Sequence, residues 1–301
     1  MIGATLRSVA AFLAVVGPYP SFAVSAEKEP PGQLEEIVYA EVDGRRLSLD
    51  LHMPTADRPL PTVIWVHGGA WRSGSRQDVP AIELTRHGYA IASVDYRLSV
   101  DSQFPAQVHD IKAAIRYLRA NAASYGLDAE RFAIAGSSAG GHLAALVGVT
   151  GGNAALEGDV GRDHEASSRV RAIASFYGAS NLETILSQST PHGLSVRMPA
   201  LQLLLGGQPD QTVQLTRLAS PVAHVDADDP PLMLIHGDQD PQMPFEQSSE
   251  LRQTYREAGL EVEFVTIEGG RHGGAVFFTD ERIAEVARFF DRHMQGPPGC
   301  Q

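Results

Sequence analysis

The stretch from residue 135 to residue 141 reads Ala-Gly-Ser-Ser-Ala-Gly-Gly and contains a G-x-S-x-G motif centred on Ser138. The apolar run before it, residues 131–135, is typical of a buried strand, and the Ala- and Leu-rich run after it is typical of a helix. A serine between a strand and a helix, flanked by Gly136 and Gly140, predicts a sharp turn in which a Cβ at either glycine would clash. We expect this turn to present the serine hydroxyl above the positive end of the following helix.

Apolar runs of strand length alternate with helical patterns over most of the chain. The predicted strands cover residues 37–42, 47–51, 62–66, 90–94, 131–135, 172–177, 232–235 and 262–265. The predicted helices cover a segment that opens at Pro105 and residues 142–149, 246–258 and 283–293. This alternation predicts an α/β fold in which a mostly parallel central sheet carries helices on both faces. Asp43-Gly44 joins the first two strands and predicts an antiparallel hairpin before the parallel strands.

A long segment interrupts this alternation after the sixth strand. Residues 178–231 contain several prolines and glycines, and a connection of this length inside a domain is usually functional. Because the segment leaves the same sheet edge as Ser138, we expect residues 182–218 to form a lid-like insertion over the site. Its candidate apolar contacts are Leu201, Leu203, Leu204 and Leu205. A surface excursion without a role is the alternative.

The N-terminal segment has the layout of a secretory signal peptide. Arg7 precedes an apolar run at residues 9–16, prolines follow it, and small residues lie before a cleavage point near Ala26. A membrane anchor is the alternative, but this run is too short to span a bilayer. We therefore expect an exported protein, periplasmic or extracellular. The predicted organisation is a signal peptide at residues 1–26, a disordered lead-in at 27–33 and one domain at 34–295.

The composition of the chain argues against several classes of binding partner and of metal site. The chain has 301 residues, of which 43% are hydrophobic, enough for a large core. Its net charge of −12 and the lack of a Lys/Arg run argue against nucleic acid and anionic membrane surfaces as partners. No apolar run has the length of an integral membrane segment. The single cysteine, Cys300, excludes an internal disulfide and a metal site built from cysteines.

Other strand ends should meet the sheet edge that carries Ser138, because sites in α/β sheets form beyond the carboxyl ends of the strands. The strand at residues 62–66 is followed by His67-Gly68-Gly69-Ala70-Trp71. Consecutive glycines let the backbone approach a ligand closely and leave N–H groups facing the cleft, as an oxyanion hole requires. The candidate donors are the backbone N–H groups of Gly68, Gly69, Ala70 and Ala139. A glycine turn without this role is the alternative.

The last two strand ends supply an acid and a base. The strand at residues 232–235 is followed by His236-Gly237-Asp238-Gln239-Asp240-Pro241. We predict that Asp240, further out beside a proline, orients a histidine, that Asp238 caps the turn, and that His236 is a buried structural residue. The final strand is followed by a loop in which four glycines surround His272. The order nucleophile, acid, base leaves only His272 and His293, and His293 lies near the terminus, so His272 is the predicted base.

Taken together, these motifs resemble those of α/β-hydrolase esterases across nearly all of the predicted domain. The matching features are His67-Gly68-Gly69-Ala70-Trp71, Asp95-Tyr96-Arg97-Leu98, Phe104-Pro105 with Asp110, Gly136-Ser137-Ser138-Ala139-Gly140-Gly141-His142, Asp240 and His272. The chain is most similar to the bacterial feruloyl-esterase-like branch, near the hormone-sensitive-lipase and carboxylesterase groups. The resemblance implies an α/β-hydrolase fold and a serine ester hydrolase with an acyl-enzyme intermediate, working without a cofactor or a metal.

The resemblance also implies a class of substrate, namely aryl or short-acyl esters, free or attached to a polymer as feruloyl, acetyl or polyester groups. Trp71 is predicted to form a wall beside the acyl carbon, with Tyr177 as a second pocket residue; packing of Trp71 into the core is the alternative. A serine peptidase and a non-catalytic binding protein share this fold, but Ser137 replaces the peptidases' usual aromatic residue and no triad member is missing. Arg97 and Asp110 are predicted to form a structural ion pair.

Overall fold

The computed structural model describes Met1 and residues 32–294, so the predicted signal peptide and most of the lead-in lie outside the described residues. Within this part of the chain the strands are β1 (Gly32–Val42), β2 (Arg45–Met53), β3 (Leu60–Val66), β4 (Ala90–Val94), β5 (Leu127–Ser137), β6 (Ile173–Phe176), β7 (Leu232–Gly237) and β8 (Val262–Ile267). The α-helices are α1 (Ala106–Ala120), α2 (Ala139–Gly148), α3 (Ala154–Glu157), α4 (Ile185–Gln188), α5 (Pro191–Leu205), α6 (Val213–Leu218), α7 (Phe245–Glu257) and α8 (Asp280–Met294). Short 3-10 turns cover Ile82–His87, Ala122–Tyr125, Pro221–Ala223 and Ala275–Phe277.

The strands form one sheet in the order β1-β2-β4-β3-β5-β6-β7-β8. The first two strands pair antiparallel with each other, β2 pairs antiparallel with β4, and every later pair is parallel. This confirms the predicted hairpin and mostly parallel sheet. Because β1 begins at Gly32, strand structure starts before the predicted domain boundary at residue 34. No helix in the described part of the chain has the length and apolarity needed to cross a membrane.

Two apolar layers cover the two faces of the sheet. Along β3, Ile64 and Val66 belong to one buried cluster, while Val63 and Trp65 belong to the other, as strand alternation requires. Helices α1, α2 and α7 contribute buried side chains to the first layer, and α8 contributes to the second. The continuous apolar runs of the central strands therefore reflect burial on both faces, and they place the functional loops at the carboxyl edge.

The insertion after β6 contains the helices α4, α5 and α6. Leu201, Leu204 and Leu205 of α5 are buried within the main core, and Leu203 is half-buried. The prediction that these leucines face a pocket is therefore wrong for the three buried ones, because their spacing places them on the face of α5 that packs inward. A hydrogen bond of 2.8 Å from Phe104 N to Leu204 O ties the end of α5 to the loop before α1. A lid role for the segment stays a prediction.

Arg97 and Asp110 form the predicted ion pair at the start of α1. The Asp110 side chain is inaccessible to solvent and accepts from Nη2 of Arg97 at 2.7 Å, from Nε and from the Arg97 backbone N–H at 2.8 Å. Burial raises the pKa of Asp110, and the three donors from Arg97 oppose that shift. The pair holds the loop after β4 to helix α1.

Replacement of Asp110 by alanine should lower the free energy of unfolding by about 3–5 kcal/mol, because it leaves the largely buried guanidinium of Arg97 without its partner. Asp101 provides the control, since its pair with Arg45 is half exposed and its loss should change stability by about 0–1 kcal/mol. Urea unfolding of both variants measures the difference. Equal losses would contradict a structural role specific to Asp110.

Candidate active site

The turn after β5 holds Ser138 in a left-handed backbone conformation, with φ of 55°. A Cβ at Gly136 would lie 2.4 Å from Gly140 O, and a Cβ at Gly140 would lie 2.0 Å from Val66 O. The predicted clash at both glycines is therefore present in the structure. Ala139 is the first residue of α2, so its N–H has no acceptor within the helix. The turn thus leaves both a hydroxyl and a backbone donor at the sheet edge.

Ser138, His272 and Asp240 form a hydrogen-bonded chain. Nε2 of His272 lies 2.9 Å from Oγ of Ser138, and Nδ1 lies 2.7 Å from Oδ2 of Asp240. The Asp240 carboxylate is inaccessible to solvent and the His272 side chain is largely buried. The donor and acceptor order requires the tautomer with the proton on Nδ1, which leaves Nε2 free to accept the serine proton. Three residues from three different strand ends thus meet as the sequence predicts.

Four groups hold the Asp240 carboxylate in its ionised form. Oδ1 accepts from the backbone N–H groups of Gln242 and Met243, both at 2.8 Å, and Oδ2 lies 3.3 Å from Nε2 of His236 in addition to its bond with His272. Burial disfavours the charged form, but the hydrogen bonds from His236 and His272 outweigh it, so the pKa of Asp240 lies well below its usual value. His236 is buried as predicted, yet it also contacts the acid, which sequence reasoning missed.

Backbone contacts join the acid loop to the loop that carries His272. Gln239 N donates to Gly270 O at 3.0 Å, and a Cβ at Gly237 would lie 2.2 Å from the same carbonyl oxygen. Asp238 accepts from Gly269 N at 2.7 Å, so it bridges the two loops instead of only capping its own turn. These contacts fix the spacing between acid and base.

The loop after β3 packs against the nucleophile turn. A Cβ at Gly68 would lie 3.5 Å from Cβ of Ser138, so the backbone of Gly68 approaches the serine directly. Gly69, Ala70 and Trp71 all have positive φ, and a Cβ at Gly69 would lie 2.1 Å from Ser73 O. The loop therefore has the close backbone approach that an oxyanion hole requires. Which of its N–H groups act with Ala139 stays a prediction.

The Trp71 side chain is fully buried, so the prediction that its ring lines the pocket is wrong. Its indole N–H donates to Nδ1 of His142 at 3.0 Å, and Nε2 of His142 lies 2.7 Å from Ala219 O. Burial lowers the pKa of His142 to about 4, so the ring is neutral and Nδ1 accepts. The positive φ values at Ala70 and Trp71, which the sequence does not reveal, accompany this inward orientation. The chain Trp71–His142–Ala219 links the loop after β3, helix α2 and the insertion.

Tyr177 contacts His272, and its predicted role as a pocket residue stays a prediction. Its ring meets the His272 ring edge-on, with 4.9 Å between centroids. The residue is buried, has a φ of 40°, and burial raises its pKa to about 12. A neutral phenol packed on the imidazole limits the orientations that His272 can take.

This geometry agrees with comparisons with known proteins. The family model described as BD-FAE matches residues 49–255. The chain belongs to the BD-FAE family. Among curated proteins it is 32% identical to esterase LipC of Mycobacterium tuberculosis over 225 residues, 73% of this chain and 54% of LipC. The chain thus spans little more than half the length of that relative.

Solved structures with the same fold match a larger share of this chain than LipC does. A truncated carbohydrate esterase from gut microbiota is 30% identical, with a TM-score of 0.78, covering 89% of this chain and 98% of that one. Esterase Est2 of Thermogutta terrifontis, solved with butyrate bound, is 28% identical, with a TM-score of 0.71, covering 88% and 96%. The predicted α/β-hydrolase fold and the resemblance to esterases are therefore confirmed.

Replacement of Asp240 by asparagine should lower kcat for a nitrophenyl ester by roughly 10⁴-fold, as in the best-studied triad, because the amide favours the wrong tautomer of His272. Asp238→Asn is the matched control: it keeps a carbonyl acceptor for Gly269 N and should cost far less. Steady-state kinetics of the two variants measure the contrast. A larger loss at Asp238 would reverse the assignment of the acid.

Replacement of Trp71 by alanine should lower stability by about 3–5 kcal/mol, as for a buried aromatic residue, instead of changing acyl selectivity. Thermal unfolding measures the first effect, and kcat/KM for an aryl ester and an acetate ester measures the second. Trp71→Phe keeps most of the buried ring but removes the donor to His142, so it separates packing from hydrogen bonding. A selective loss on the aryl ester at an unchanged Tm would restore the pocket-wall interpretation.

Proposed function

We propose that this chain is an exported serine carboxylic ester hydrolase. The observation that carries the proposal is the hydrogen-bonded chain from Ser138 through His272 to Asp240, at 2.9 and 2.7 Å. Each group has the state that its role demands: the acid is ionised, and the imidazole accepts from the serine. Membership of an esterase family supports the reaction class.

The reaction begins when Nε2 of His272 removes the proton from Ser138 and Oγ attacks the ester carbonyl. Asp240 stabilises the imidazolium that results and keeps the ring in its productive orientation. His272 then returns the proton to the alcohol, which leaves, and a bond remains between Oγ and the acyl carbon. Water, activated by the same imidazole, attacks this acyl-enzyme and releases the acid.

The negative charge on the tetrahedral intermediate requires donors that are already in place. The N–H of Ala139 at the start of α2 and those of Gly69 and Ala70 are the donors we propose, with Gly68 providing the close approach. Because these groups belong to turns fixed by steric contacts, they need little reorganisation when the charge develops. One such donor contributes about 2.7–4 kcal/mol to the transition state.

For the substrate we propose esters of short or aryl acids, including those attached to carbohydrate. Names of related structures support this class: one is a carbohydrate esterase and another was solved with butyrate. Because Trp71 is buried, its ring does not form the predicted aromatic wall beside the acyl group of a bound ester. We therefore favour short acyl groups such as acetyl or butyryl over feruloyl groups.

Replacement of Ser138 by alanine should abolish ester hydrolysis and leave the thermal unfolding midpoint nearly unchanged. Ser137→Ala, the adjacent control, should retain most activity because it is the Ser138 hydroxyl that lies 2.9 Å from Nε2 of His272. Nitrophenyl esters of increasing chain length, acetylated xylan and methyl ferulate define the substrate class, and intact mass after a fluorophosphonate probe locates the nucleophile. Activity of Ser138→Ala within tenfold of the parent would refute the mechanism.

A further inference from the structure

Helix α5 of the insertion reaches the two peptide units that hold the catalytic acid. The Gln242 N–H that donates to Oδ1 of Asp240 belongs to the same peptide unit as Pro241 O, and Pro241 O accepts from Oγ1 of Thr190 at 2.5 Å. The Met243 N–H that donates to the same oxygen shares its peptide unit with Gln242 O. That carbonyl accepts from Nη2 of Arg197 at 2.6 Å. Both donors to the acid are thus bound from behind by α5.

The environment of Arg197 is unusual for a purely structural arginine. The residue is 1% exposed, and its Nε is buried without a hydrogen-bond partner. Among the described residues, no carboxylate forms an ion pair with it, and Asp240 is the acidic group whose field acts on its charge. Burying an unpaired guanidinium is costly, so its retention beside the acid loop suggests a role there.

Close packing of α5 on the acid loop keeps this arrangement rigid. A Cβ at Gly193 would lie 3.1 Å from Gln242 O and 3.3 Å from Pro241 O, so the first turn of the helix lies directly on the two carbonyls. Oγ1 of Thr190 also accepts from Gly193 N and thereby caps α5. The same hydroxyl joins the helix end to the acid loop.

We propose that Thr190 and Arg197 are positioning residues of the triad, which act on Asp240 through the two peptide units between Pro241 and Met243. A donor on a peptide carbonyl polarises the amide and strengthens the bond that its N–H makes in turn. The relay runs from Arg197 through one peptide to Asp240, then to His272 and Ser138. The insertion therefore completes the catalytic apparatus, whatever part it takes in covering the site.

The proposal has a signature in the pH dependence of catalysis. The groups that face the Asp240–His272 pair are His236 from β7, Tyr177 after β6 and Arg197 from α5, and His142 faces Arg197 in turn. Without the Arg197 cation, His272 lies in a more negative electrostatic field. Weaker hydrogen bonds from the backbone to Oδ1 of Asp240 also leave more negative charge on Oδ2, the oxygen that contacts His272. Both changes favour the imidazolium, so the acidic limb of kcat/KM should move to higher pH.

The experiment measures kcat, KM and the pH profile for nitrophenyl butyrate, with active sites titrated by a fluorophosphonate. Arg197→Met should lower kcat by up to about 100-fold at similar KM and move the acidic limb up by roughly one pH unit. Arg197→Lys, which keeps the charge, should leave the limb close to that of the parent. Arg217→Met, at an exposed position of the same insertion, is the control and should change neither.

The Thr190 variants test the peptide unit between Pro241 and Gln242, and they remain informative if Arg197→Met does not fold. Thr190→Val should lower kcat at similar KM, and Thr190→Ser, which keeps the hydroxyl, should restore it. An unmoved limb in Arg197→Met, an equal shift in Arg197→Lys, or parent-like kcat in Thr190→Val would overturn the proposal. This inference rests on the proposed mechanism, but the failures differ: activity in Ser138→Ala would refute the mechanism, whereas these outcomes refute only the relay.

Discussion

The backbone of the nucleophile turn lies directly on the end of β3, and the rest of the site depends on that contact. A side chain at Gly140 would collide with Val66 O, and one at Gly136 would come within 2.7 Å of the same atom. Since the loop after Val66 is the one that packs on Ser138, this one contact fixes the positions of both the serine and the backbone N–H groups of that loop. It occurs where the chain order reverses between β3 and β5, the position at which α/β sheets form their ligand crevices.

A second contact of the same kind positions Asp240 and His272. Gly237 at the end of β7 approaches the carbonyl of Gly270 almost as closely as Gly140 approaches that of Val66: a Cβ would lie 2.2 Å and 2.0 Å from the two oxygens. The two steric contacts are separated by β6, whose end carries Tyr177 against the imidazole. These glycine contacts and one tyrosine thus define the distances among Ser138, Asp240 and His272, which lie far apart in the sequence. The hydrogen bonds within the triad follow from this backbone arrangement.

Sequence patterns predicted the strands, the triad and the Arg97–Asp110 pair because each depends on local periodicity, on a motif or on chain order. Other features depend on backbone torsions or on contacts between distant segments. The orientation of Trp71 follows a left-handed backbone at Ala70 that no residue type there signals, since alanine rarely adopts it. The contact of Arg197 with the loop that holds Asp240 depends on how the insertion folds back onto the sheet edge. The sequence does not indicate which residues an arginine of this insertion will contact. The leucines of α5 show the helical period, but the period does not say which surface they meet.

Both tryptophans of the chain are buried, and each indole N–H has a defined acceptor: Asp78 O for Trp65 and Nδ1 of His142 for Trp71. Indole emission responds to its hydrogen-bond partner and to a nearby imidazole. With Trp65 replaced by phenylalanine, the remaining fluorophore would sit beside the loop after β3, at the junction with α2 and the insertion. The chain therefore carries an intrinsic fluorescent reporter of the loop after β3, so the order of this loop and the rate of ester hydrolysis can be recorded on the same sample.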